Sequence, residues 1–148
     1  CEMDRRGQKT DAGYYDYDEN RQRSPSKVTE DVIANVTGIA AGVSGLSQED
    51  ILARLLHPMV NEALVILEEN KAQRASDIDV IWSYGYGWPG DTCGPMFYGD
   101  LIGPEKILAT MQELAADSEH TKPAKTLEKL TTHGGKFVDL DLGGLRTG

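Results

Sequence analysis

Cysteine is nearly missing from this chain of 148 residues: there are two, Cys1 and Cys93. Neither belongs to a Cys-x-x-Cys pair or a Cys/His cluster, which argues against a disulfide framework and against zinc. That usage fits a reducing, cytoplasmic setting. Basic residues are also scarce, with 15 Lys and Arg against 24 Asp and Glu and a net charge of −9. Binding to nucleic-acid phosphates or to an anionic membrane needs the opposite balance. Long apolar runs are absent too. The longest, Ala63 to Leu67, falls far short of the roughly 20 residues that span a bilayer. The three histidines, His57, His120 and His133, lie far apart without i,i+4 partners, so no zincin or histidine cluster is visible. There is no Gly-x-Ser-x-Gly elbow and no Walker loop. The sequence starts at Cys1 without a Met or a secretory signal, and we expect a piece of something longer.

What is present is helical. Hydrophobic residues make up 39% and charged residues 26%, enough for one compact core at this length. A dinucleotide-binding domain with its own substrate domain would be cramped. Tyr14, Tyr15 and Tyr17 precede Asp18-Glu19-Asn20, an extended piece ending in a turn, and Arg21 to Ser26, with Pro25, reads as a connector. Val28 to Ala41 predicts a short helix with Thr29 as its cap and Glu30 and Asp31 in its first turn. The strongest signal starts at Ser47, an N-cap with Asp50 three residues on in place of the usual Glu of a capping box. From Ile51 to Leu67 apolar residues cover more than half of the helix circumference, which predicts a central core helix. Arg54, His57, Asn61 and Glu68 form its polar stripe, which places His57 at a surface or an interface. Pro58 is expected to kink it. Ser76 predicts the cap of the next helix, Gly103-Pro104 the start of another, and Pro123 the start of a last one that ends at Gly134-Gly135. No strand set able to build a sheet is apparent, and the residues from Asp139 onward are expected to fray.

Several motifs match chemistry without its setting. Gly85-x-Gly87-x-x-Gly90 has the letters of a dinucleotide fingerprint, whose glycines belong between a strand and a helix. Here they follow a predicted helix, contain Pro89, and precede Asp91-Thr92-Cys93-Gly94-Pro95, which reads as unable to start a helix promptly. Asp77-x-Asp79 offers two carboxylates, but residues two apart on a helix diverge, and both suit the positive end of their own helix better than a metal. Cys93 lies in a Gly/Pro-rich loop with nothing nearby in sequence to activate the thiol.

Several strings read together resemble one family. Arg5-Arg-Gly-Gln-Lys-Thr-Asp-Ala-Gly-Tyr-Tyr-Asp-Tyr-Asp18 is similar to the segment joining the two helical repeats of the multifunctional 3-hydroxyacyl-CoA dehydrogenases of fatty-acid β-oxidation. Leu55-Leu-His-Pro-Met-Val-Asn-Glu-Ala63, Ala75-Ser-Asp-Ile-Asp-Val80, Gly85-Tyr-Gly-Trp-Pro89 and Gly94-Pro-Met-Phe-Tyr98 follow in the family's order and spacing. The likeness runs from about Arg5 to about Leu130.

The resemblance implies an all-α fold, a helical domain like the C-terminal domain of 6-phosphogluconate and 3-hydroxyacyl-CoA dehydrogenases. It implies an extended connector over 1–26, the helical domain over 27–135 and a tail over 136–148. In the family a Rossmann domain binds NAD and supplies a catalytic His–Glu pair, and an Asn in the first repeat's Val-Asn-Arg-Leu-Leu string helps hold the substrate and that His. This chain resembles the second repeat, where Leu52-Ala-Arg-Leu-Leu56 puts Ala53 in the place of the Asn, so no catalytic residue is expected. Thr92-Cys93-Gly94 stands where the family has Arg-Gly-Gly. Leu55, Leu56, Pro58, Met59, Asn61, Glu62, Asp77, Asp79, Gly94 and Pro95 are then structural or interface positions. No cofactor is expected in this fragment, and NAD in the parent. The expected partners are the preceding repeat, the Rossmann domain and, through them, the acyl-CoA substrate, with self-association of the isolated fragment. The ending Arg146-Thr147-Gly148 is not Ser-Lys-Leu, which favours a bacterial parent. The alternative is a free-standing domain that binds acyl-CoA or another small molecule, for instance through His57 with Glu62 or Cys93 with Asp91.

Overall fold

The computed structural model describes residues 4–39, 45–116, 118 and 121–141. Contacts divide the chain into two units, Cys1–Leu46 and Ser47–Gly148. The sequence boundary at 26/27 leaves the first helix with the helical domain, whereas its contacts lie with the residues before it.

In the first unit β1 (Tyr15–Tyr17) pairs antiparallel with β2 (Arg23–Pro25), so the segment read as a connector is a strand. Asp18 makes the turn: its carboxylate accepts the Gln22 N–H at 2.7 Å and its carbonyl accepts the Arg21 N–H at 2.8 Å. Arg5 ties the hairpin together. Its guanidinium donates to the Gly13 carbonyl, to Asp16 Oδ1 at 2.6 Å and to Ser26 Oγ at 2.7 Å, and this neighbour holds the Asp16 carboxyl below its ordinary range. Gly13 lies so close to Gly7 that a Cβ on it would come 2.6 Å from the Gly7 Cα. Helix α1 (Lys27–Thr37) starts at Ser26, not Thr29. The Thr29 hydroxyl instead donates to the Gly13 carbonyl at 3.2 Å.

The second unit is a helical assembly around α2 (Gln48–Glu68). The expected capping box is formed: the Asp50 N–H donates to Ser47 Oγ at 3.1 Å, and the Ser47 N–H donates to Asp50 Oδ2 at 2.9 Å. The helix runs on through Pro58. Helices α3 (Ala75–Gly85), α4 (Pro95–Ile102), α5 (Pro104–Ala115) and α6 (Lys125–His133) all contact α2. The core is built from Val60, Leu64 and Leu67 of α2 with Ile78, Met96, Ile107, Met111, Leu127 and Leu130. Phe137 and Leu140 complete it, fully or nearly fully buried beyond the 27–135 boundary drawn from sequence. Burial on α2 starts at His57; Ile51, Leu52 and Leu55 before it are exposed, so only the second half is the core helix the pattern predicts.

Two local expectations are corrected. Arg74, not Ser76, is the N-cap of α3; Arg74 pairs by a bridge with Asp141, and the Ala75 N–H donates to the Leu140 carbonyl, which sets where the helix begins. Helix α4 does start promptly after the glycine loop, with Pro95 in the first turn, where its missing N–H costs nothing.

Candidate functional site

Four polar side chains of the helices take up backbone donors at the starts of elements later in the chain. Asp79 on α3 accepts the Met96 N–H at 2.8 Å and the Phe97 N–H at 3.0 Å, both at the start of α4. It therefore caps another helix, not its own, which corrects the sequence reading. Burial pushes its carboxyl up, against the two N–H donors that act to lower it. Asp77, by contrast, turns to Arg74 in an ion pair of 2.9 Å. Gly94 lies with positive φ directly against Asp79: a Cβ there would come 2.6 Å from the Asp79 Cα.

Asn61, buried at 4% exposure, does the same for α6. Its Oδ1 accepts the Ala124 N–H at 2.7 Å and its Nδ2 donates to the Lys122 carbonyl at 3.0 Å. Glu68 adds a bond from the Thr126 N–H at 2.5 Å. On α4, Asp100 accepts the Phe137 and Val138 N–H groups at 2.7 and 3.2 Å. Sequence reasoning missed Asp100 and Glu68 in these roles. A lone acid on a helix gives no local sign of a partner some 40 or 60 residues away.

The interface candidates thus fall into two groups. Asn61, Asp79, Gly94 and Pro95 are built into the fold, while Leu55 and Glu62 are exposed and Leu56, Pro58 and Met59 are half-buried.

His57 is buried, not on the surface, at 5% exposure. Its Nδ1 lies 2.8 Å from Thr110 Oγ1 on α5. Burial, reinforced by the positive charge of Lys106, holds its pKa below the ordinary histidine range. It lines a cavity of about 380 Å³ with Leu52, Ala53, Tyr98, Ile102 and Lys106, and Gln48 and Glu49 at one side. Glu62, its suggested partner, is exposed and outside that lining.

A second cleft, about 540 Å³, opens between α3 and the glycine loop, lined by Asp79, Ser83, Tyr84, Trp88 and Cys93 among others. The glycine loop follows α3 and not a strand, so the dinucleotide fingerprint lacks its setting. Aromatic rings hold the loop instead: Trp88 packs edge-on against Trp82 and Tyr98, and its Nε1 donates to Thr92 Oγ1 at 3.0 Å. Cys93 is exposed, and its carbonyl accepts from Ser83 Oγ at 2.7 Å. Among the described residues no group of three or more His, Cys, Asp or Glu side chains converges to hold a metal. His133 is exposed at the end of α6; Cys1 and His120 lie outside the described residues.

The sequence model of the 3-hydroxyacyl-CoA dehydrogenase C-terminal domain matches residues 51–137. The chain belongs to that family. Its match runs from Ile51 in α2 through α6 to the core residue Phe137 and lies within the second unit. The chain is 34% identical over 140 residues to the peroxisomal bifunctional enzyme of Homo sapiens, covering 90% of this chain and 19% of that protein. The same enzyme of Cavia porcellus is 36% identical over 142 residues, with the same coverage. The glyoxysomal fatty acid beta-oxidation multifunctional protein MFP-a of Cucumis sativus is 32% identical over 112 residues, 72% of this chain and 15% of that protein. The chain thus spans about a fifth of the length of these bifunctional relatives. Among the described residues this member of the 3-hydroxyacyl-CoA dehydrogenase C-terminal domain family is all-α apart from the short hairpin of the first unit. No helix among its described residues is long and apolar enough to cross a membrane.

Proposed function

We propose that this chain is the second helical repeat of an NAD-dependent 3-hydroxyacyl-CoA dehydrogenase of fatty-acid β-oxidation, fused in its parent to an enoyl-CoA hydratase. Within that parent it is a packing scaffold that covers the preceding repeat and shapes the acyl-CoA cleft, and it does no chemistry alone. The observation that carries this reading is the family match over residues 51–137 in a chain that spans 19% of its bifunctional relatives. NAD would be held by a separate Rossmann domain of the parent.

Two features of the chain support the scaffold role. Ala53 occupies the place for which the resemblance implies an Asn, and a methyl group neither donates nor accepts a hydrogen bond. The first half of α2 presents Ile51, Leu52 and Leu55 to solvent, and α3 presents Val80, Ile81 and Tyr84, the last at 90% exposure. Apolar groups clustered on exposed helix faces fit a domain that is covered in its parent. Its setting is aqueous: the bacterial cytoplasm by the sequence reading, the peroxisome or glyoxysome by the relatives' names, and fractionation of the source cell decides between them.

Calorimetry of the chain with NADH and acetoacetyl-CoA tests the assignment. The expected result is no NADH binding and no turnover. Hydride transfer by this chain alone overturns it.

A further inference from the structure

The cavity beside His57 is lined by a buried ring whose second nitrogen has no hydrogen-bond partner among the described residues. Ala53 and His57 lie one turn apart on α2, and Tyr98, Ile102 and Lys106 face them from α4 and α5. Thr110 Oγ1 lies 2.8 Å from His57 Nδ1 and donates its single proton to the Lys106 carbonyl at 3.2 Å. Both contacts are hydrogen bonds together only when Nδ1 carries the imidazole proton. Nε2 is then a bare acceptor. It has no hydrogen-bond partner among the described residues, yet no fully enclosed side-chain nitrogen or oxygen there is left unsatisfied. Nε2 therefore keeps access to open space, and the space His57 lines is this cavity. Burial and Lys106 keep the ring neutral at neutral pH.

The walls decide the occupant. Leu52, Ala53, Ile102 and the Tyr98 ring give the cavity an apolar wall, with Gln48, Glu49 and Lys106 also lining it. An anion would meet the Nε2 lone pair head-on. Lys106 and Glu49 offset each other in charge. The volume, about 380 Å³, lies in the range of small-molecule sites.

We propose that this cavity binds a small apolar alcohol or phenol, whose hydroxyl donates to His57 Nε2 while its hydrocarbon body lies against Leu52, Ala53, Tyr98 and Ile102. This goes beyond the scaffold role and does not depend on the parent's activity.

The test uses three probes of similar size on the unaltered chain: p-cresol, which donates; toluene, which neither donates nor accepts; and 4-methylanisole, which only accepts. Binding is read by calorimetry and by the ¹⁵N resonance of His57 Nε2. We expect p-cresol to bind about fivefold tighter than toluene, the worth of one net hydrogen bond, to exceed 4-methylanisole as well, and to move the Nε2 resonance. Ala53→Leu, which fills the cavity, is expected to abolish p-cresol binding with the helical circular dichroism unchanged. No binding of p-cresol up to its solubility, equal affinity for all three probes, preference for 4-methylanisole, or undiminished binding to a folded Ala53→Leu each overturns the proposal.

Discussion

Asp79 and Gly94 form one interlocked device: the Asp79 carboxylate takes the first N–H groups of α4 because Gly94, with no side chain, lets the loop run against it. Any side chain on Gly94 would occupy the place of Asp79, and its positive φ of 141° adds strain for every other residue. Asp79→Ala is expected to cost about 1–3 kcal/mol, because two N–H groups lose a half-buried acceptor. Gly94→Ala is expected to cost at least as much. The double variant should cost clearly less than the two together, since each already breaks the same junction. Urea unfolding followed by circular dichroism measures all three. Additive losses would show that the two residues act separately.

Asn61 holds the approach to α6 by both ends of its amide. Asn61→Ala leaves the Ala124 N–H and the Lys122 carbonyl without that partner, at an expected cost of about 2–3 kcal/mol. Asn61→Asp keeps the acceptor for Ala124 but turns a carboxylate oxygen toward the Lys122 carbonyl, so it should be less stable than the parent at pH 7 and recover partly on acidification. Denaturant midpoints at pH 7 and pH 4.5 check this; a variant equal to the parent at pH 7 would contradict it.

These junctions mark the limit of what the sequence could convey. The capping box at Ser47 and Asp50 and the Gly103-Pro104 start of α5 are legible because every group involved lies within four residues. Gly94-Pro95 carries the same signal as Gly103-Pro104, yet the run of turn-forming residues before it hides α4. His57 reads as polar because it falls on the stripe of Arg54 and Asn61, and only the approach of α5, with Thr110, makes that position interior. Asp79 reads as a dipole partner for its own helix because the chain does not announce that α4 begins beside it. Phe137 is lost among polar neighbours, although it completes the core.

His57 gives a defined pH response. Unfolded, it titrates near the ordinary value of about 6.5; folded, burial and Lys106 hold it lower. Between those two values the unfolded chain binds more protons, so stability falls as pH drops from about 6.5 toward the folded value and changes no further below it on this account. Around the ring, Lys106 opposes its protonation, Glu49 is the acidic residue in the shared cavity, and Thr110 and Tyr98 are neutral there. Asp16 and Asp50, both held low by hydrogen-bonded partners, lose their contributions only in the carboxylate range. Urea midpoints from pH 7.5 to 5.0 should therefore decline for the parent and decline less for His57→Gln. Parallel curves would remove His57 as the cause.

Leu55 tests the scaffold reading most directly. It is 62% exposed on α2, beside exposed Ile51 and Leu52, and a domain covered by a neighbour in its parent should bury that face on itself when alone. Light scattering of the isolated chain should show mass rising with micromolar concentration. Leu55→Glu replaces one good helix former with another on an exposed site, so its own stability should stay within about 0.5 kcal/mol. It should nevertheless weaken association by about tenfold or more, because a charge must then be buried in an apolar contact. A chain that stays monomeric at every concentration, or a variant that associates as strongly as the parent, would show that this face is not where the domain is covered.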